Sequence, residues 1–114
     1  MKFIQHSSPN SWGHSIEIME KKGRAFGRIY WFNDEEENVY LDMLDVDQDM
    51  RDKGIGTKLQ EMREEIGRKQ GAIYSYLWVF ENSWMHKWYQ RRGYEDWKPH
   101  DEQSDAVWMR KSLK

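Results

Sequence analysis

The chain has 114 residues, 18 Lys and Arg against 20 Asp and Glu, and no cysteine. Its length suits a single domain spanning residues 1–114, and the missing cysteine excludes a disulfide framework, a thiol nucleophile and a cysteine-based zinc site. A net charge of -2 gives no global attraction to nucleic acid or to an anionic membrane.

A mean hydropathy of -1.08 would suit disorder. Aromatic residues make up 15% of the chain, with seven Trp, and this argues instead for a folded core of rings and Met. Met1-Lys2-Phe3-Ile4-Gln5-His6 leads into no apolar run, and no stretch nears the ~20 apolar residues of a membrane span, so the reading is a cytoplasmic chain without a membrane partner.

In chain order, Ser7-Ser8-Pro9-Asn10-Ser11 reads as loop. Ser15 to Glu20 alternates Ile16 and Ile18 with polar neighbours, and Arg24 to Phe32 is aromatic and β-branched. Asp34-Glu35-Glu36-Glu37, between Asn33 and Asn38, is a solvated hairpin turn, and Val39 to Val46 is the next strand. These three strands are expected to form an antiparallel meander.

The period then changes. Ile55, Leu59, Met62 and Ile66 mark one buried helix face, closed by Arg68, Lys69 and Gly71. Ala72 to Phe80 is a strand, Ser83 to Arg92 a helix stopped by Gly93, and Tyr94 to Trp97 and Ala106 to Lys111 are final strands. The expected fold class is α/β (α+β): a mixed, mostly antiparallel sheet with a β-α-β crossover and helices packed on it.

Two segments carry chemistry. Arg51-Asp52-Lys53-Gly54-Ile55-Gly56 lies between a strand end and a helix start, where free N–H groups and the helix dipole favour phosphate. Gly54 and Gly56 let backbone approach closely, and Arg51 and Lys53 add charge. A tight turn would use the same glycines. No Gly-Lys-Ser/Thr follows, and the third glycine of a dinucleotide fingerprint is missing. The second segment runs from Asn82 through Tyr89 and Arg91 to Gly93-Tyr94.

Together these segments resemble the two hallmarks of the GNAT superfamily of acetyltransferases: Gln/Arg-x-x-Gly-x-Gly/Ala, and Asn-x-x-Ala-x-x-Leu-Tyr-x-Lys-x-Gly-Phe. Asn82, Tyr89 and Gly93 match outright, Arg91 keeps the charge, and Met85 and Trp88 stand where relatives have Ala and Leu. Gln48 stands where relatives often have Pro. The resemblance implies an acetyl-CoA-dependent N-acetyltransferase acting by direct ternary-complex attack. It implies that Leu44 and Val46 offer backbone bonds to pantetheine, that Arg51, Asp52, Lys53, Gly54, Ile55, Gly56 and Thr57 hold the pyrophosphate, and that Asn82 and Tyr89 complete the cofactor site.

Tyr89 fits general-acid work, because a phenol is protonated at neutral pH and can meet a leaving thiolate; a core tyrosine is the competing reading. Asp42, sharing strand parity with Leu44 and Val46, is the candidate base; Asp45 points to the opposite face under simple alternation unless a bulge rotates it, and His86 is a weaker alternative that could decorate an exposed helix side. Trp84, Trp88 and Tyr89 beside Lys87, Arg91 and Arg92 could stack bases, but they are better explained as a helix face, so direct nucleic-acid binding is not expected. His6, His14, His86 and His100 do not pair at metal-ligand spacing.

Only Met1 to His14 precede the meander, so the acceptor groove that a helical segment walls in GNAT relatives is expected to be reduced and open. An open groove suits a lysine on a protein acceptor, or a homodimer in which a second copy completes the groove, better than a small amine. The brevity, the Asp42-Met43 strand and the Gly54-Ile55-Gly56 loop also resemble the very short phage-borne acetyltransferases that inactivate a CRISPR nuclease by modifying a lysine.

Overall fold

The computed structural model describes residues 2–101 and 103–114. It contains β1 (Phe3–Pro9), β2 (Gly13–Glu20), β3 (Ala25–Phe32), β4 (Asn38–Val46), α1 (Ile55–Lys69), β5 (Tyr74–Phe80), α2 (Trp84–Gln90), β6 (Glu95–Pro99) and β7 (Ala106–Ser112). A single 3-10 turn, Gln48–Met50, links β4 to the loop before α1. The strands form one sheet in the order β1-β2-β3-β4-β5-β7-β6. All neighbours are antiparallel except β4 and β5, which the α1 crossover makes parallel.

The meander has four strands, not three. Ser7 to Pro9 lie in β1, which pairs with β2 from Phe3↔Glu20 to Pro9↔His14. Ser and Pro are poor strand formers, but an edge strand needs hydrogen bonds on one side only, and Pro9 sits at its end. The Asn10 side chain accepts from the N–H of Trp12 at 3.1 Å and of Gly13 at 3.0 Å, which closes the β1–β2 turn without any helix.

Both helices lie on one face of the sheet. Ile29, Val39, Leu41, Leu77, Val79 and Met109 pack there against Trp88, Tyr89 and Tyr94, while Ile18 and Ala25 pack against Met50, Ile55 and Leu59. Ile18, Ile29, Leu59 and Met109 have no exposed surface, each contributing about 1.5–3 kcal/mol relative to exposure. α1 comes close because Gly67 has no side chain: a Cβ there would lie 3.0 Å from Leu113 Cδ1 and 3.1 Å from Val39 Cγ2.

The buried face of α1 differs from the apolar spacing. Gln60, Arg63 and Glu64 are buried with Ile55 and Leu59, while Met62 and Ile66 are only half-buried. Long-range polar partners, which a periodicity cannot register, draw those three inward.

The opposite sheet face carries neither helix. By strand register, Tyr30, Tyr40, Tyr76 and Trp108 share it, with Tyr40 stacked on both Tyr30 and Tyr76 at 5.4 and 5.6 Å between ring centroids. Trp12, Trp78, Phe80 and Trp97 extend this aromatic layer and are between 41% and 57% exposed.

Candidate active site

The site begins with a bulge in β4. Phe26 pairs with Asp45 and Arg28 with Asp42, so Gly27 alone faces both Met43 and Leu44, and Met43 takes a φ of 57°. The extra residue turns Leu44 and Val46 to the helix side, where both pack into the core, and leaves Asp42 and Asp45 on the aromatic face. The parity expected between Asp42 and the two pantetheine positions is therefore broken. β4 and β5 pair only from Asn38↔Tyr74 to Tyr40↔Tyr76 among the described residues, so the strands part just before the bulge.

Below the parting lies a groove of about 720 Å³ between the end of β4, the start of α1 and α2. Leu44, Asp45, Val46, Arg51, Asp52, Gly54, Ile55, Gly56 and Thr57 line it, with Met50, Trp84, Met85, Trp88 and Arg92. Gly54, at φ 77°, caps α1 in the left-handed conformation and supplies no side-chain cap bond, so the first N–H groups of the helix remain free. A Cβ on Gly56 would meet only Trp88 Cζ2, at 3.5 Å, an ordinary contact. The protein itself does not demand glycine there.

Arg92 forms the far wall. Its guanidinium lies over the Trp88 ring at 3.5 Å and donates to Thr57 Oγ1 at 2.8 Å and to the Trp88 carbonyl at 3.0 Å. Its Nε is buried without a hydrogen-bond partner among the described residues. Burial first, and the charge of Arg91 second, lower its affinity for a proton. These features fit the phosphates of a CoA thioester, and the apolar β4 end fits its uncharged arm.

Behind the parting lies a buried polar cluster. Arg63, fully buried, donates to the carbonyls of Arg28 and Asp42 at 3.3 and 3.2 Å, to Gln60 Oε1 at 2.6 Å and to the Tyr89 hydroxyl at 2.9 Å. Tyr94 lies beside Tyr89 and shares a 2.8 Å hydrogen bond with the Ser75 hydroxyl, while Gln60 Nε2 donates to it at 3.0 Å. Burial, reinforced by Glu64, raises the Tyr94 pKa above the ordinary phenol range.

The Acetyltransferase (GNAT) family profile matches residues 4–94. The chain belongs to the GNAT acetyltransferase family. Solved structures of distant relatives share the fold of this GNAT enzyme. A Klebsiella pneumoniae protein described as an acyl-CoA N-acyltransferase shares 21% identity, with 94% of this chain and 77% of that one covered and a TM-score of 0.75. The Escherichia coli ribosomal-protein-S18-alanine N-acetyltransferase gives 19%, 92%, 72% and 0.69. Nourseothricin acetyltransferase gives 18%, 91%, 67% and 0.70. A search of curated proteins finds no match to the sequence.

Of the GNAT site residues expected from sequence, eight line the groove: Leu44, Val46, Arg51, Asp52, Gly54, Ile55, Gly56 and Thr57. Lys53, Asn82 and Tyr89 do not. Asn82 is exposed at the head of α2 with φ 62°, its N–H donating to His86 Nδ1 at 2.9 Å. Tyr89 is 4% exposed and reaches the parting through Arg63.

Asp42 accepts both Arg28 Nε at 2.8 Å and Nη2 at 2.6 Å, and that bond raises the Arg28 pKa. His86 is buried rather than decorating an exposed helix side; its Nε2 lies 2.7 Å from Asp96 Oδ1, tying α2 to β6. Sequence reading missed Arg63 and gave Arg92 no cofactor role. The signal for Arg92 was its place one helical turn beyond Trp88; Arg63 offered only a charge beside an apolar stripe.

Proposed function

We propose that this GNAT enzyme transfers the acetyl group of acetyl-CoA to a primary amine, and that the amine is a lysine side chain of a protein. The observation that carries the reading is the two-sided parting of β4 and β5. One side is closed by α1 and α2, with the groove and Tyr89, and the other opens onto a sheet face that carries no helix among the described residues.

The groove holds the CoA thioester with its phosphates at the free N–H groups of α1 and at Arg92, and Leu44 and Val46 offer backbone groups along β4. Arg51, which lines the groove, adds charge at the phosphate end. The amine arrives through the parting from the aromatic face. Its nitrogen attacks the thioester carbonyl, the C–S bond breaks, and the sulfur leaves with the electron pair and takes the Tyr89 proton. The amine proton passes through water to Asp42, which is 31% exposed on that same face despite its Arg28 clamp.

A protein acceptor suits the bare face because few walls enclose a small amine there, whereas pockets for small ligands cover most of the ligand. Exposed Trp78, Phe80 and Trp97 supply the flat aromatic area that protein contacts use. The acceptors named for the relatives are nourseothricin and an alanine of ribosomal protein S18, so the fold serves more than one acceptor. The test supplies radiolabelled acetyl-CoA with a cell lysate, and separately with a panel of polyamines, aminoglycosides and amino acids. Labelled protein lysine at a higher kcat/KM than any small amine is expected; efficient turnover of one small amine without labelled protein would overturn the acceptor assignment.

A further inference from the structure

We propose that Arg63 is a positioning residue that holds the Tyr89 hydroxyl beside the β4–β5 parting and keeps its proton free for donation. This inference rests on the reading of Tyr89 as the acid that meets the departing thiolate.

A guanidinium with no exposed surface calls for an explanation. A buried charge is costly unless paired, and apolar side chains of similar size are often as stable or more so. No carboxylate pairs with Arg63 among the described residues: it donates to two carbonyls, one amide oxygen and one phenol. Two of these acceptors are informative. The Asp42 carbonyl sits at the edge of the bulge, so one Nη holds the strand where it leaves β5. The other Nη holds the Tyr89 oxygen, so phenol and parting are fixed to the same rigid plane.

The two adjacent tyrosines show what this does. Tyr94 Oη is surrounded by Ser75, Gln60 and Glu64, and Glu64 accepts from it at 3.4 Å. Tyr89 Oη has a single partner among the described residues, and Arg63 can only donate. The Tyr89 proton is thus uncommitted and must point away from the guanidinium. When the C–S bond breaks, this proton moves to the sulfur, and the proton that Asp42 takes from the amine is passed back through water to the phenolate. Gln60 keeps the plane from rotating, since its oxygen accepts from Arg63 while its nitrogen donates to Glu64 at 2.8 Å.

The test compares the full chain with Arg63→Met, Arg63→Lys, Tyr89→Phe and Arg63→Met/Tyr89→Phe. Acetyl-CoA affinity is measured by calorimetry, folding by thermal melting, and turnover by CoA thiol release with polylysine, or with water where polylysine is not acetylated. Arg63→Met is expected to keep Kd within about threefold, to lower kcat by about tenfold or more, and to cost nothing further once Tyr89 is Phe. Arg63→Lys should recover part of the loss, and it carries the comparison if the Met variant does not fold. Equal losses in both backgrounds, or no loss in either, would overturn the proposal. A Tyr89→Phe protein with unchanged kcat would instead remove the reading of Tyr89 on which the proposal stands.

Discussion

Arg92 Nη2 donates to Thr57 Oγ1 at 2.8 Å, joining the end of α2 to the first turn of α1 across the groove. The bond links the two sequence hallmarks in space and leaves Arg92 Nε facing no protein acceptor among the described residues. Arg92→Ala should weaken acetyl-CoA binding by about 10–100-fold, the loss expected for charge-assisted bonds of about 1.5–3 kcal/mol. Calorimetric titration reads it, and an unchanged Kd would place the phosphates elsewhere.

Gly56 separates steric from electrostatic demands. Gly56→Ala should fold normally, because its Cβ meets Trp88 Cζ2 at an ordinary 3.5 Å. Gly56→Glu should fold yet lose the rise in Tm that acetyl-CoA gives the parent protein, since a carboxylate at the helix start repels the phosphates. A Glu variant that keeps the full rise would show that the loop is only a turn.

Asp42→Asn should reduce kcat/KM most strongly near pH 6 and progressively less toward pH 9. A free lysine amine, with a pKa of about 10.4, is then increasingly deprotonated without help. A reduction independent of pH would remove Asp42 as the proton acceptor, and the same profile in Asp45→Asn would move the role to that neighbour on the same face.

Glu20 gives the fold an acid-sensitive point. Its carboxylate accepts from Arg24 Nε at 2.6 Å and from the Lys22 N–H at 2.9 Å, which hold its pKa down from the usual 4.5 to about 2, Arg24 contributing most. A lowered carboxylate pKa adds stability that is fully present above about 4.5 and is lost as pH falls toward about 2. Glu20→Gln should therefore be less stable than the parent at pH 7 and lose less on acidification across that interval. Urea midpoints between pH 7 and pH 2 measure it, and parallel curves would contradict the pairing.

The local signals were strong where one segment holds its own explanation. Glycines at a helix start, a four-three-four apolar spacing and the Asn82 to Tyr94 pattern marked out α1 and α2, because helix ends and turns depend on neighbours in the chain, and eight of the residues named from sequence line the groove beside them.

The tertiary structure decided what depended on distant partners. Ser7 to Pro9 belong to a strand because β2 pairs with them, although these residues by themselves read as loop. Alternation put Asp42 with Leu44, and one inserted residue at Met43 reversed that, since a side-chain period of two cannot survive an odd insertion. Arg63 is buried because two carbonyls at the bulge, on β3 and β4, and the Tyr89 hydroxyl on α2 converge on it from three other elements that only the folded sheet brings together, with Gln60 of its own helix as a fourth partner.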